Sequence, residues 1–311
     1  MWFKNLVFYR FTQPFTTDAE ALHEQLFGSR FTPCSSQEQT RYGWVPPMGK
    51  LGDQLVHASN GHLLLCAKKE EKILPGSVIK EMLAERVEAI ETEQSRKVRK
   101  KERDELKDTL MMELLPKAFS RHQLTFAYIA PEAGLLVVDA SSAKRADELT
   151  AFLRKTLGSL PITLPALKQA PAATMTHWVS EQSPLPGGFE LGEEAELKDP
   201  GENGGVIRCK QQHLLCDEIS THLAAGKQVV KVALDWKETL SFVLGEDLIV
   251  RRVKFSDVVQ EKAAEMGEAD AAAAFDADFT LMTLELGRFL PELLEALGGE
   301  DDGAYAPAIA V

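Results

Sequence analysis

Glycine and proline are both missing between positions 77 and 115 of this 311-residue chain. Such a stretch has few ways to break a helix. Cysteine is scarce as well. Cys34, Cys66, Cys209 and Cys216 show no CxxC spacing and no short disulfide framework, so the expected setting is reducing and cytoplasmic. No apolar run reaches the ~20 residues of a membrane span, so no membrane partner is expected. The first residues, MWFKNLVFYRF, carry Lys4 and Arg10 inside their apolar run and read as a strand rather than a signal peptide. The absence of a Walker loop or a dinucleotide fingerprint argues against an ATP-driven motor. No internal repeat is found.

What is present is ordinary in bulk, with 44% hydrophobic and 26% charged residues, as in soluble multidomain proteins. The formal net charge is −12. Taken whole, that opposes a nucleic-acid partner, but binding depends on where positive charge clusters. The cluster lies in the stretch without glycine and proline. Glu81, Glu85, Glu88, Glu91 and Glu93 fill its first half; Arg96, Lys97, Arg99, Lys100, Lys101, Arg103 and Lys107 follow. Arg96, Lys100, Arg103 and Lys107 are spaced to share one helical face. An unbroken helix here would be roughly 60 Å long; two helices with a bend fit equally well. Charge pattern alone favours a solvated face with internal ion pairs. The sharper reading is a phosphate-contacting arm. A coiled-coil strut has thin support, because Ile79, Leu83, Val87 and Ile90 stop before the basic run.

Strands are expected at 2–11, around the Asn60-Gly61 hairpin turn (55–58 and 62–67), and at 124–130 and 135–140. His57 and His62 are expected to be cross-strand neighbours. A short helix is expected at 19–27 behind a Thr17–Glu20 capping box, and a second from Ser141-Ser142 to 157, ended by Gly158. Positions 31–48 read as loop. The basic arm, bracketed by strand pairs, is then an insertion (69–121) in an α+β domain made of 1–68 and 122–165. After a proline-rich connection, residues 166–299 form a second α+β unit. It contains a strand at 206–210, a helix at 218–225, a meander over 227–255 and a helix over 275–297. The tail 300–311 is expected to be disordered.

Ser77/Lys80 and Ser141/Lys144 match Ser-x-x-Lys, but the other elements of serine acyl enzymes are absent and both serines fit helix starts. Cys209, His213, Cys216 and His222 match no zinc spacing. No catalytic residue, cofactor or metal site is expected. Arg208 and Lys210, two apart on a strand, share a face; Arg251, Arg252 and Lys254 form another small basic group. Each group alone reads as surface charge.

A set of short blocks is more specific. Trp2-Phe3-Lys4-Asn5-Leu6, Gly43-Trp44-Val45-Pro46-Pro47-Met48-Gly49, Lys69-Glu70-Glu71-Lys72-Ile73-Leu74-Pro75, Leu115-Pro116-Lys117-Ala118-Phe119-Ser120-Arg121, Gly204-Gly205-Val206-Ile207-Arg208, Ala233-Leu234-Asp235-Trp236 and Phe275-Asp276-Ala277-Asp278-Phe279 occur in order. With them the chain resembles the recombination-associated RdgC family from its first residues to about Gly299. The resemblance implies a non-enzymatic, nucleoid-associated protein that binds double-stranded DNA with little sequence preference. It implies a horseshoe-shaped α+β subunit with a centre, a projecting helical tip and a base, closing as a ring-shaped homodimer. It also implies antagonism of RecA, and so a role in recombination and replication-fork repair. By this resemblance Arg96 on the arm, and Lys210 with Gln211, face DNA, and Phe119 joins two tips. Lys97, Lys100, Arg103, Lys107 and Arg208 are expected to add to the DNA-facing set. A helical scaffold that binds protein instead of DNA is the alternative.

Overall fold

The structure is a computed structural model describing residues 1–181, 184–201, 204–267, 270–301 and 303. Asp302 and 304–311, most of the tail expected to be disordered, lie outside the described residues.

Strand β1 (Asn5–Phe11) is the seam of the molecule. Its Val7–Arg10 segment pairs antiparallel with β6 (Leu135–Val138), while Asn5 and Leu6 pair with β12 (Val250–Phe255) on the other edge. On the β6 side follow β5 (Phe119–Ala130), β4 (His62–Ile73) and β2 (Thr40–Val45). β3 (Val56–Ser59) pairs with β4, and β7 (Ile162–Thr163) with the end of β1. On the β12 side follow β11 (Leu240–Gly245), β10 (Gln228–Trp236), β8 (Phe189–Lys198) and β9 (Val206–Lys210), the far edge. The result is a single mixed α+β architecture around one twelve-stranded sheet, all of its strand pairs antiparallel.

The two-residue period of β1 feeds two cores. Val7 and Tyr9 pack with Leu65, Ile129 and Leu136 beneath α1 (Ala19–Phe27) and α4 (Ala143–Leu157). Leu6 and Phe8 join Leu64, Tyr128, Val232, Leu234 and Trp236 on the opposite face. That face is covered by α5 (Pro171–Ser180), α6 (Asp217–Ala224) and α8 (Ala271–Ala296), whose Met282, Leu286 and Phe289 are fully buried. α7 (Asp257–Met266) packs against α8.

The glycine- and proline-free stretch is two helices, α2 (Gly76–Gln94) and α3 (Lys100–Leu114), packed on each other through Ile79, Leu83 and Leu110. Ser95, at φ 48°, ends α2 in the left-handed conformation. Arg96 therefore leaves the helix, and the single face that included it does not form; Lys100, Arg103 and Lys107 keep theirs. The helix pair is mounted on β4 and β5, which stay paired from Leu63↔Ile129 out to Ile73↔Phe119, through positions 68/69 and 121/122.

Other expectations are corrected in detail. Asp18, not Thr17, caps α1, its carboxylate accepting from the Ala21 N–H at 2.8 Å. His57 faces Leu64 rather than His62 and meets Asp276 at 3.0 Å. The loop expected at 31–48 contains β2. Segment 29–31 lies beside that strand, with Phe31 N–H donating to the Trp44 carbonyl at 2.8 Å. The approach needs Gly43, where a Cβ would stand 2.4 Å from the Phe31 Cα. Gly43→Ala should therefore lower stability by about 1–3 kcal/mol. Gly28→Ala, at φ −61° with nothing within 4 Å, should be neutral or slightly stabilising. Urea unfolding of the two variants checks this, and equal midpoints would contradict it.

Candidate nucleic-acid interface

The candidate cations fall into two groups. The first is on the helix pair. Arg96, in the turn after Ser95, is held by Glu102, with Nη1 and Nη2 donating at 2.7 and 2.6 Å, and by Gln94 at 2.7 Å. These bonds keep the Glu102 carboxyl below the usual carboxylate range. Lys97 donates to Glu91 at 2.9 Å, yet its side chain is 92% exposed. Lys100, Arg103 and Lys107 are exposed along α3 and make no ion pair with any described residue.

The second group lies at the opposite edge of the sheet. From β5 to β9 there are seven strand steps, roughly 35 Å along the sheet at ~4.8 Å each. The structure does not bring the two groups together within the subunit. In β9, Cys209 points into the core while Arg208 and Lys210 point outward, as the strand period requires. Arg208 Nε donates to Glu196 at 3.0 Å. Lys210 ends the strand, exposed, opposite Glu194, and Gln211 follows at φ 53°.

Two irregularities shape a groove of about 950 Å³ next to Lys210. Residues 192–194 of β8 lie between the pairs Leu191↔Leu234 and Ala195↔Val232, opposite the single residue Ala233. Gly192 belongs there because a Cβ would meet the Ala233 Cβ at 3.0 Å. In β12, Arg252 and Val253 oppose the single residue Phe242, a β-bulge with Arg252 at φ 54°. Small residues Gly192, Ala233 and Ser241 line the groove, with Lys210, Gln211, Arg252 and Lys254. Gln211 and Arg252 take the left-handed backbone, as do Asn60, Ser95, Lys237, Glu238 and Leu248 elsewhere, so this conformation shapes the groove without singling it out.

The sequence of the first 300 residues matches the model of the family described as "Putative exonuclease, RdgC". Curated relatives named recombination-associated protein RdgC cover nearly the whole chain. The Aeromonas hydrophila protein is 56% identical over 97% of this chain and 99% of its own length. The Tolumonas auensis protein is 50% identical over 96% and 99%. The Pseudomonas aeruginosa protein is 50% identical over 97% and 98%. The chain belongs to the RdgC family.

Membership of the RdgC family supports a general role in recombination. The family description names an exonuclease, whereas the relatives are named for an association with recombination. Among the described residues no three His, Cys, Asp or Glu side chains gather to hold a metal ion. No helix among them is long and apolar enough to cross a membrane.

Reading the sequence missed the residues that flank Lys210. Arg252 reaches the groove through a bulge, and Glu194 and Glu196 sit in β8, a strand not foreseen. The alternation of Glu194, Glu196 and Lys198 with buried Ala195 and Leu197 was the available signal. Burial alone would raise the Glu196 pKa; hydrogen bonds from Arg208 and Lys231 outweigh it and hold the carboxyl below its ordinary value. A carboxylate lowered in the folded state stabilises the fold above its unfolded pKa, and loses that contribution as pH falls through the lowered folded value. Glu196→Gln should thus cost about 1 kcal/mol or less at pH 7. The deficit should shrink as pH falls from about 5 towards 3. Urea unfolding across that range is the check; a deficit independent of pH would contradict it.

Proposed function

We propose that this chain binds double-stranded DNA through phosphates, without reading sequence or cutting the strand. We further propose that the subunit is a horseshoe of centre, tip and base that closes as a ring-shaped homodimer around the duplex. In that state it restrains RecA-mediated recombination in the nucleoid. The observation that carries this reading is the placement of unpaired positive charge. In a chain of net charge −12, Lys100, Arg103, Lys107 and Lys210 stand exposed without an ion-pair partner among the described residues, at two sites across the sheet. Phosphate contacts need only such charge, and supply most sequence-independent affinity.

The ion pairs of Arg96 and Lys97 favour a second reading, in which the arm is a solvated strut that docks protein. One experiment separates the two: binding to unrelated duplexes over a salt series, with Mg²⁺ present and strand length followed. The expected result is affinity falling with log salt by about 0.9 per phosphate neutralised, little change between sequences, and intact strands. Lys210→Ala should flatten the slope by about 0.9, and the joint Ala replacement of Lys100, Arg103 and Lys107 by up to about 2.7. No binding at any salt would leave the strut reading; shortened strands would establish the nuclease.

Closure needs a tip contact. Phe119 does not pack on its own domain: it is 85% exposed at the first position of β5, beside Ile73, itself half exposed. An aromatic anchor of that kind commonly costs ~2 kcal/mol or more when truncated from a desolvated contact. Phe119→Ser should weaken cross-linking between tips introduced at exposed positions of α3, roughly thirtyfold in the half-saturating concentration, with thermal stability unchanged. Undiminished cross-linking would remove Phe119 from the contact.

A further inference from the structure

The groove face at the β9 edge is not simply basic. Two of its cations, Arg208 and Arg252, stand over carboxylates. Glu196, its side chain 19% exposed, accepts from Arg208 Nε at 3.0 Å and from Lys231 Nζ at 3.3 Å. Arg208 rises above it at 70% exposure. Glu194 pairs with Arg252 at 2.9 Å and lies directly across from Lys210. Strand register fixes the arrangement, because cross-strand partners share a face: Glu196↔Arg208, Glu196↔Lys231 and Glu194↔Lys210 are all such partners.

Resting on the DNA-binding reading above, we propose that Glu194 and Glu196 are built-in counter-anions of the DNA face that limit its affinity for phosphate. A phosphate in contact with Arg208 or Arg252 lies about 6 Å from the carboxylate beneath, a repulsion worth about threefold in affinity per carboxylate even in a water-like dielectric. The cations meanwhile keep their aim, since each is oriented by its carboxylate in the free protein. The face therefore holds duplex DNA loosely and releases it with modest salt, as a protein that must slide off or open requires. Two roles for these carboxylates make opposite predictions. A counter-anion weakens DNA binding, so its neutralisation tightens it; a group that only positions the arginines strengthens binding, so its neutralisation loosens it.

The test compares Glu194→Gln, Glu196→Gln and the double variant with Glu285→Gln. The last removes the same charge from α8, on the covered face, where Glu285 pairs with Arg288. The probe is a linear duplex of fixed length, with circular dichroism confirming the fold of each variant. Each single Gln variant at Glu194 or Glu196 should bind about threefold, and the double variant about tenfold, more tightly than Glu285→Gln at equal salt. The salt slope should steepen by up to about 0.9 for each carboxylate removed. Weaker binding, or binding equal to that of Glu285→Gln, overturns the proposal. Lys210→Ala, measured in parallel, distinguishes the failures. If it weakens binding while the Gln variants change nothing, the counter-anion role fails and the DNA face stands; if it too changes nothing, both fall. Either single variant decides the matter if the other does not fold.

Discussion

Strand β1 divides its two edges between two halves of the molecule, and the rest of the structure follows from that. One edge holds β6 and, through it, the β5–β4 ladder that carries the helix pair; the other holds β12 and the groove-bearing strands. Its side chains divide as well, Val7 and Tyr9 to one core, Leu6 and Phe8 to the other. The Asp139 carboxylate, accepting from the Asn5 N–H at 2.9 Å, fixes the start of the strand where it changes partners. A displacement of β1 by one residue would exchange the two apolar sets between faces. The distance between the basic helix and the basic sheet edge is therefore set by strand pairing rather than by a linker.

Positive charge in this acidic chain is graded by its partners. Arg96 is clasped by Glu102 and Arg208 shares Glu196 with Lys231, whereas Lys210 and the α3 set stand open. Exposed ion pairs contribute little to stability, so this grading bears more on what can approach the surface than on folding. In the proposed reading, a face with cations over carboxylates would attract a polyanion without trapping it, and the net charge of −12 would oppose binding by the molecule as a whole.

Much of the fold was legible where local signals agree. Asn60-Gly61, at φ 47° and 75°, makes the expected hairpin turn, Gly158 ends α4, and the 227–255 meander forms. β2 was hidden because Gly43 and the Pro46-Pro47 pair read as loop, although Gly43 is there to admit Phe31. β8 was hidden because its 192–194 irregularity disrupts the alternation. The break before Arg96 depends on a left-handed Ser95, which no glycine announces. For the site, alternation was enough to put Arg208 and Lys210 on one side of β9, while Lys210, Gln211 and Phe119 were singled out by family resemblance. Arg252 and the two glutamates could not be placed beside them, because bulges and cross-strand register are properties of paired strands, not of one strand's sequence.

Encirclement is the central claim, and topology tests it better than affinity. The protein would be loaded at low salt on closed circular duplex and on the same duplex linearised, then washed at high salt. A ring around DNA predicts retention on the circle and loss from the linear form, whose ends let a closed ring slide off. Equal loss from both would contradict the account and leave a protein that binds phosphates only from one side.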